Sequence, residues 1–100
     1  MPKLTVVVPH HLTQDEALSR IKGLIERLKG QHGDRVTDLK EQWNGYTGTF
    51  SGKSMGMNLS GAIAVHPHDV EVQGQLPLMA SAFKGQIEQR IRDGAAELLS

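Results

Sequence analysis

Hydrophobic positions along the chain change their spacing several times and so mark out its elements. Residues Leu4 to Pro9 form a short run rich in β-branched residues, which favours a strand. After Thr13, hydrophobic residues recur every third or fourth position, as on one face of a helix: Ala17, Leu18, Ile21, Leu24, Ile25 and Leu28. Residues 13–16, Thr-Gln-Asp-Glu, match a capping box, and the helix is predicted to end near Gly30 or Gly33.

From Val36 onwards, hydrophobic residues fall at alternate positions, which predicts strands with one apolar face. Three turns interrupt the alternation. Asn44-Gly45 suits a two-residue hairpin turn because both residue types tolerate positive φ. The other turns are predicted at residues 52–54 and at His66-Pro67-His68-Asp69. The pattern predicts a four-stranded antiparallel meander.

A second amphipathic helix is predicted near the end of the sequence. Pro77 suits its first turn, where a missing N–H costs nothing. The hydrophobic residues on one face of this helix are Met79, Phe83, Ile87, Ile91, Ala95 and Leu98. The element order β-α-β-β-β-β-α predicts one two-layer α+β domain over residues 1–100, an antiparallel sheet covered on one face by two helices.

The turn at residues 66–69 sets the pairing of the last two strands and places Gly61 opposite Gly74 on the apolar face. Glycine inside a strand marks a bulge, a bend or the close approach of another group. Close packing of protein interiors favours the C-terminal helix filling this space through Phe83 or Ile87. The alternative is a small apolar cavity that holds a hydrophobic ligand.

The Asn44-Gly45 turn is predicted to place Trp43 opposite Tyr46 and Glu41 opposite Gly48, with Glu41 on the apolar face. Burial there would disfavour the charged form of Glu41, which would suit it as an acid or as a ligand-binding group. Buried unpaired carboxylates are rare, however. The more ordinary interpretation is that this end of the sheet is poorly covered, or that a bulge turns Glu41 outward.

Four histidines are predicted to lie near one rim of the sheet. If the first and last strands pair, His10 and His11 come to lie beside His66, His68 and Asp69. Neutral imidazoles and a carboxylate can bind zinc or another transition metal. Turns favour exposed polar residues whatever their function, so solvated loop histidines are the ordinary interpretation. The candidate metal ligands are His11, His66, His68 and Asp69.

The composition excludes several classes of function. The chain has 100 residues, no cysteine, and 11 basic residues against 11 acidic ones. Disulfides and thiolate chemistry are therefore excluded, and a nucleic-acid partner is not expected. The hydrophobic runs fall short of the roughly 20 residues that span a bilayer, so we expect a cytoplasmic protein without a transmembrane segment. Phosphate-loop and nucleophile-elbow motifs are missing, so a non-enzymatic function is favoured over an enzyme and no cofactor is expected.

Several short pieces of the chain, in order, resemble the polyhydroxyalkanoic acid system family of small bacterial proteins. They are a strand ending in His11, the capped helix with Ala17 and Arg20, Trp43-Asn44-Gly45, Phe50, residues 61–65, residues 76–78, Ile87-Glu88 and Ile91. The resemblance implies a bacterial intracellular protein associated with storage granules of polyhydroxyalkanoate. It also implies a shortened helix-grip arrangement, in which the C-terminal helix lies across a curved sheet.

Three functions follow from these observations. The first is a non-enzymatic accessory protein that binds a granule protein or the granule surface. The second is a module that binds a small apolar ligand, with the candidate contacts Glu41, Gly48, Gly61, Gly74 and Phe83. The third is a metal-dependent hydrolase at a rim formed by His10, His11, His66 and His68. A long edge strand would also permit a homodimer.

Overall fold

The elements of the fold follow the predicted order. The structure, a computed structural model, describes residues 3–32, 37–54, 56–75 and 82–100. The elements are β1 (Lys3–Pro9), α1 (Gln14–His32), β2 (Thr37–Asn44), β3 (Thr47–Ser54), β4 (Met57–Val65), β5 (Asp69–Gln75) and α2 (Lys84–Leu98). The predictions made for Val36, Met55 and residues 76–81, including Pro77 in a first helical turn, lie outside the described residues. The turn predicted at residues 52–54 is wrong, because these residues belong to β3 and pair with residues 57–59 of β4.

The five strands form one antiparallel sheet with the order β1-β5-β4-β3-β2. The predicted pairing of the first and last strands is confirmed, since Val6 lies opposite Val72. The predicted register of β4 and β5 is also confirmed, because Gly61 lies opposite Gly74. The hydrophobic alternation of these strands therefore gives the sheet one apolar face, which the helices cover, and one face that points away from them.

The predicted register of β2 and β3 is wrong by two residues. Trp43 lies opposite Gly48 instead of Tyr46. The two turn residues are Gly45 and Tyr46, so the turn comes one position later than Asn44-Gly45. Gly45 occupies the first turn position with a φ of 63°, where a two-residue turn needs glycine. Because the shift is an even number of residues, the side chains of Lys40 to Asn44 keep their predicted faces.

Both helices pack on the apolar face of the sheet and close one hydrophobic core. Its buried members come from three strands, from both helices and from Leu99 just after α2: Leu4, Val6, Val8, Ala17, Ile21, Val65, Val70, Ala95 and Leu99. This core lies over β1, β5 and the end of β4. Towards β2 the cover becomes thin, and Leu39 is 43% exposed. In the parts of the chain that the structure describes, neither helix has the length and hydrophobicity to cross a membrane.

The start of α1 and the end of α2 are joined by Arg20. Thr13 caps α1 as predicted, since its Oγ1 accepts the backbone N–H of Glu16 at 3.1 Å. The carboxylate of Glu16 binds Arg20 and leaves the other half of the predicted capping box unmade. Nη1 of Arg20 then donates to the carbonyl oxygens of Leu98 and Ser100, both at 3.0 Å. Terminal carbonyls of a helix lack partners and carry partial negative charge, so a guanidinium there stabilises α2.

The paired glycines provide a matched test of the close approach between β4 and β5. A Cβ on Gly61 would lie 2.8 Å from the backbone oxygen of Gln73, whereas a Cβ on Gly74 would find its nearest neighbour, the oxygen of Ser60, at 3.6 Å. We expect Gly61→Ala to lower the free energy of unfolding by about 1–3 kcal/mol, because the backbone must move. Gly74→Ala should change it by less than about 1 kcal/mol. Urea denaturation measures both variants, and equal losses would contradict the difference in packing.

Candidate functional site

The indole of Trp43 is the centre of a cluster on the helix side of β2 and β3. The ring covers Gly48 on the neighbouring strand so closely that a Cβ there would lie 2.8 Å from it, which explains why this position is glycine. The ring of Phe50 meets the indole edge to face, with centroids 5.8 Å apart. From α1, Nζ of Lys22 lies 5.0 Å from the indole centroid, within range of a cation–π interaction. We call these residues, together with Glu41 and Lys29, the Trp43 cluster.

Glu41 joins the Trp43 cluster to α1. It lies opposite Phe50, and not opposite Gly48 as predicted, because of the shifted turn. Its side chain is 15% exposed and faces the helices, as the alternation predicts. One carboxylate oxygen accepts Nε1–H of Trp43 at 2.6 Å. The other accepts a hydrogen bond from the ammonium group of Lys29. Both oxygens of this partly buried carboxylate are therefore bound.

The charge state of Glu41 is the opposite of the one expected from burial. The hydrogen bond from Lys29, followed by the one from Trp43, lowers the pKa of Glu41 below its ordinary value of 4.5 and outweighs the opposing effect of desolvation. The same bond raises the pKa of Lys29 above 10.5. The expectation that the charged form of Glu41 would be disfavoured is therefore wrong. Glu41 is an ionised group that ties α1 to the sheet, and its role in ligand binding stays a prediction.

Around Gly61 the helix side of the sheet carries a shallow groove of about 220 Å³. Three hydrophobic side chains line it, those of Leu39, Phe50 and Leu59. We call it the apolar groove. Of the two α2 side chains expected to fill the space above the glycines, Phe83 is 57% exposed at the N-cap of α2, while Ile87 packs against the core. Phe83 therefore does not sink towards the glycines, and its part in ligand binding stays a prediction.

His10 is a buried structural residue that closes the end of the sheet. It is only 4% exposed, and its backbone N–H donates to the oxygen of His68 at 2.9 Å. The backbone N–H of Leu12 donates to Nδ1 of the ring at 3.1 Å, so Nδ1 carries no hydrogen. Nε2 must therefore carry it and donate to the oxygen of His66 at 3.0 Å. With both ring nitrogens bound to backbone, His10 has no lone pair left for a metal.

His11, His66 and His68 lie near this end of the sheet without forming a ligand set. His11, His66 and His68 are exposed, and Asp69 is half-buried. Within residues 3–32, 37–54, 56–75 and 82–100, no group of three or more His, Asp or Glu side chains is placed to hold one metal ion. A metal site at His11, His66, His68 and Asp69 stays a prediction. In the rim of four histidines proposed for a hydrolase, His10 has a structural role instead.

Sequence reasoning missed the two lysines that complete the Trp43 cluster. The charge of Lys22 and Lys29 favours the solvent-facing side of α1. Their separation of seven residues nevertheless places them two helical turns apart on the same face. The available signal was the repeat of lysine on one face of α1, together with Glu41 and Trp43 on a neighbouring strand. It could not show which strand the helix crosses.

Comparison with known proteins gives one match. The sequence profile of a family described as "Putative polyhydroxyalkanoic acid system protein" matches residues 4–99 of the chain. Searches of curated proteins and of solved structures found no match.

The ionised state of Glu41 can be tested by the pH dependence of stability. Because its pKa is lower in the folded chain, the stabilisation that Glu41 provides is present above the ordinary carboxyl value of 4.5 and is lost as the pH falls through the lower folded value. Glu41→Gln should therefore lower the free energy of unfolding at neutral pH, and its difference from the parent should shrink in acid. Urea denaturation at a series of pH values measures this difference.

The matched control for that experiment is Glu26→Gln. Glu26 binds the same ammonium group at 3.3 Å, but its side chain is 69% exposed. Exposed ion pairs contribute little, so this variant should behave like the parent at every pH. A Glu41→Gln difference that is the same at neutral and acid pH would contradict the proposed charge state.

The structural role of His10 is testable beside its exposed neighbour. We expect His10→Ala to lower the free energy of unfolding by about 2–4 kcal/mol, because it leaves a cavity and removes the partners of Leu12 N–H and His66 oxygen. His11→Ala should change it by about 0.5 kcal/mol or less, since His11 is exposed. Chemical denaturation distinguishes the two variants. A similar loss in the free energy of unfolding for both would show that His10 does not stabilise the end of the sheet.

Proposed function

The chain belongs to the polyhydroxyalkanoic acid system family, and on that premise we propose that it is a non-enzymatic accessory protein of a polyhydroxyalkanoate storage-granule system. In this proposal the protein lies in the cytoplasm at the granule and attaches to its surface through the apolar groove. The observation that carries the proposal is the exposure of hydrophobic side chains around this groove, at the end of the sheet where the helices give least cover.

Hydrophobic side chains grouped on a surface commonly mark an interaction site, whereas single ones need no explanation. Leu39, Phe50 and Leu59 form such a group, because they line one continuous groove. Leu39 is 43% exposed, and Phe50 and Leu59 are half-buried, so burying them against a partner would remove further apolar surface from water. A polyester surface exposes methyl and methylene groups between its ester groups and offers that burial.

A second candidate, binding of a small apolar ligand in a helix-grip module, is supported by the same groove. Its volume of about 220 Å³ is below the roughly 300–1,000 Å³ of pockets that enclose small ligands. The groove is also shallow and open along its length. Its size and shape therefore favour contact with an extended surface over enclosure of a small molecule.

The test is whether the purified protein sediments with polyhydroxybutyrate particles that carry no other protein. We expect the parent to bind and Leu39→Gln to lower the affinity about tenfold, because the substitution removes one exposed hydrophobic contact. The matched control is Val7→Gln. Val7 is 47% exposed, close to the value for Leu39, but lies on the sheet face that points away from the helices.

Three outcomes are informative. Sedimentation of the parent and of Val7→Gln, but not of Leu39→Gln, supports attachment through the apolar groove. If the parent sediments only after granule proteins are added back, its binding target is a partner protein and not the polymer surface. A parent that stays in the supernatant under both conditions overturns the proposal.

A further inference from the structure

The sheet face that points away from the helices carries two adjacent rows of side chains that cross all five strands. The strand pairings define the first row as Thr5, Gln73, Ala62, Thr49 and Gln42, and the second as Lys3, Gln75, Ser60, Ser51 and Lys40. All of these residues are exposed except Ala62, which is half-buried. We call the channel between the two rows the open-face groove.

The open-face groove is a continuous feature of the surface. One depression of about 380 Å³ lies over β1, β5, β4 and β3, with the backbone of Gly61 and Gly74 in its floor. A second, of about 360 Å³, adjoins it across Thr49 and extends over β2. Four strand spacings of about 4.8 Å give the groove a length of roughly 19 Å. It is long enough for several repeats of an extended polymer.

The chemistry of the open-face groove is unusual for this chain. Its ten residues supply hydroxyl and amide groups, one alanine, and lysines at both ends, Lys3 and Lys40. None is acidic, although the whole chain has 11 acidic residues. Glu41 contributes to the floor, but its carboxylate is bound to Lys29 and Trp43 on the opposite face. Glu71 lies beside the first row on the same face, and its Oε1 accepts Nε2–H of Gln73 at 2.8 Å. The other hydroxyl, amide and ammonium groups of the two rows give the groove hydrogen-bond donors along most of its length, and the Glu71 carboxylate is already bound to Gln73.

An extended chain that offers only acceptors fits such a groove. An ester carbonyl accepts a hydrogen bond and an ester has no donor, so a polyester needs donors opposite it and gains nothing from a carboxylate. A peptide would bring N–H donors of its own. Single-stranded nucleic acid would be expected to stack on aromatic rings, but Trp43 and Phe50 face the helices, Tyr46 lies in a turn and Phe83 lies at α2.

We propose that the open-face groove binds one extended polyester strand across the five strands of the sheet. The ester carbonyls accept hydrogen bonds from Thr, Ser and Gln side chains of the two rows, and a free carboxylate at a chain end pairs with Lys3 or Lys40. This inference rests on the proposed function, which supplies the class of polymer. It adds a second contact, on the face opposite the apolar groove, that holds a single strand and not a surface.

The test uses a soluble oligomer of 3-hydroxybutyrate with both ends blocked, titrated into the protein and followed by backbone amide shifts in NMR spectra. We expect shifts confined to the two rows. Thr49→Glu should weaken binding about tenfold, because it replaces a donor in the middle of the groove with an anion facing ester oxygens. Its control is Thr47→Glu, on the same strand and face but lining neither depression. Gln42→Glu repeats the test should Thr49→Glu not fold.

The charged ends of the groove provide a second readout. An oligomer with a free carboxylate should bind more tightly than the blocked one, and the double substitution Lys3→Gln with Lys40→Gln should remove the difference. Equal binding of the free and blocked oligomers to the parent would overturn the assignment of the lysines. A Thr47→Glu variant that weakens binding as much as Thr49→Glu would overturn the location of the strand.

The inference and the proposed function can fail separately. If the parent sediments with polymer particles but the blocked oligomer causes no shifts in the two rows, the open-face groove is not a polyester site and the granule proposal stands. If an oligosaccharide or oligonucleotide shifts these rows and the oligoester does not, the inference is overturned in favour of that ligand. If the oligomer binds the rows while the parent stays in the supernatant, the inference is supported and attachment through the apolar groove is not.

Discussion

The pairing of β4 with β5 is the constraint on which both surfaces of this protein depend. Their register places Val65 against Val70 and Gly61 against Gly74, and the neighbouring strands continue those rows across the sheet. Because side chains alternate between faces, a slip of one residue would exchange the hydrophobic rows with the hydroxyl and amide rows. The four-residue turn between these strands, braced by His10, therefore determines which side is apolar and which is polar.

The helices hold this sheet by two different means. Over β1 and β5 they bury hydrophobic side chains in a closed core, with Val6 and Val70 fully enclosed. Over β2 the closed core has ended, and α1 contacts the sheet through Lys29 with Glu41 and through Lys22 over the ring of Trp43. An ion pair joins helix and sheet at a single point, whereas hydrophobic packing covers the area between them. The apolar groove lies over β2, β3 and β4, where the connection of the sheet to α1 is polar and local.

Most of the fold could be predicted from the sequence because its signals are short-range. The alternation of hydrophobic and polar residues predicted the strands, and Thr13 predicted the start of α1. The turn at residues 66–69 predicted the β4–β5 register. The β2–β3 turn was missed because Asn44-Gly45 can be placed in two ways around one glycine with positive φ. Packing decides between them, since only the observed register puts Trp43 over Gly48.

The candidate site was less predictable because its partners come from distant parts of the chain. Glu41 was correctly assigned to the apolar face, but its charge depends on Lys29, which lies on a helix whose crossing point the sequence does not specify. His10 and His11 are adjacent residues of the same type, so residue chemistry alone does not distinguish them. Only the continuation of the β1 alternation, with Val6 and Val8 inward, indicates that His10 points inward while His11 does not.

The ion pair beside the apolar groove also links adhesion to the strength of one helix–sheet contact. Phe50 lines the groove and lies directly opposite Glu41 in the sheet. Any surface that covers the groove therefore excludes water from the neighbourhood of the Lys29–Glu41 contact. Attraction between opposite charges strengthens as the surrounding dielectric constant falls. Docking would thus strengthen the attraction between Lys29 and Glu41 without any new contact to the helix.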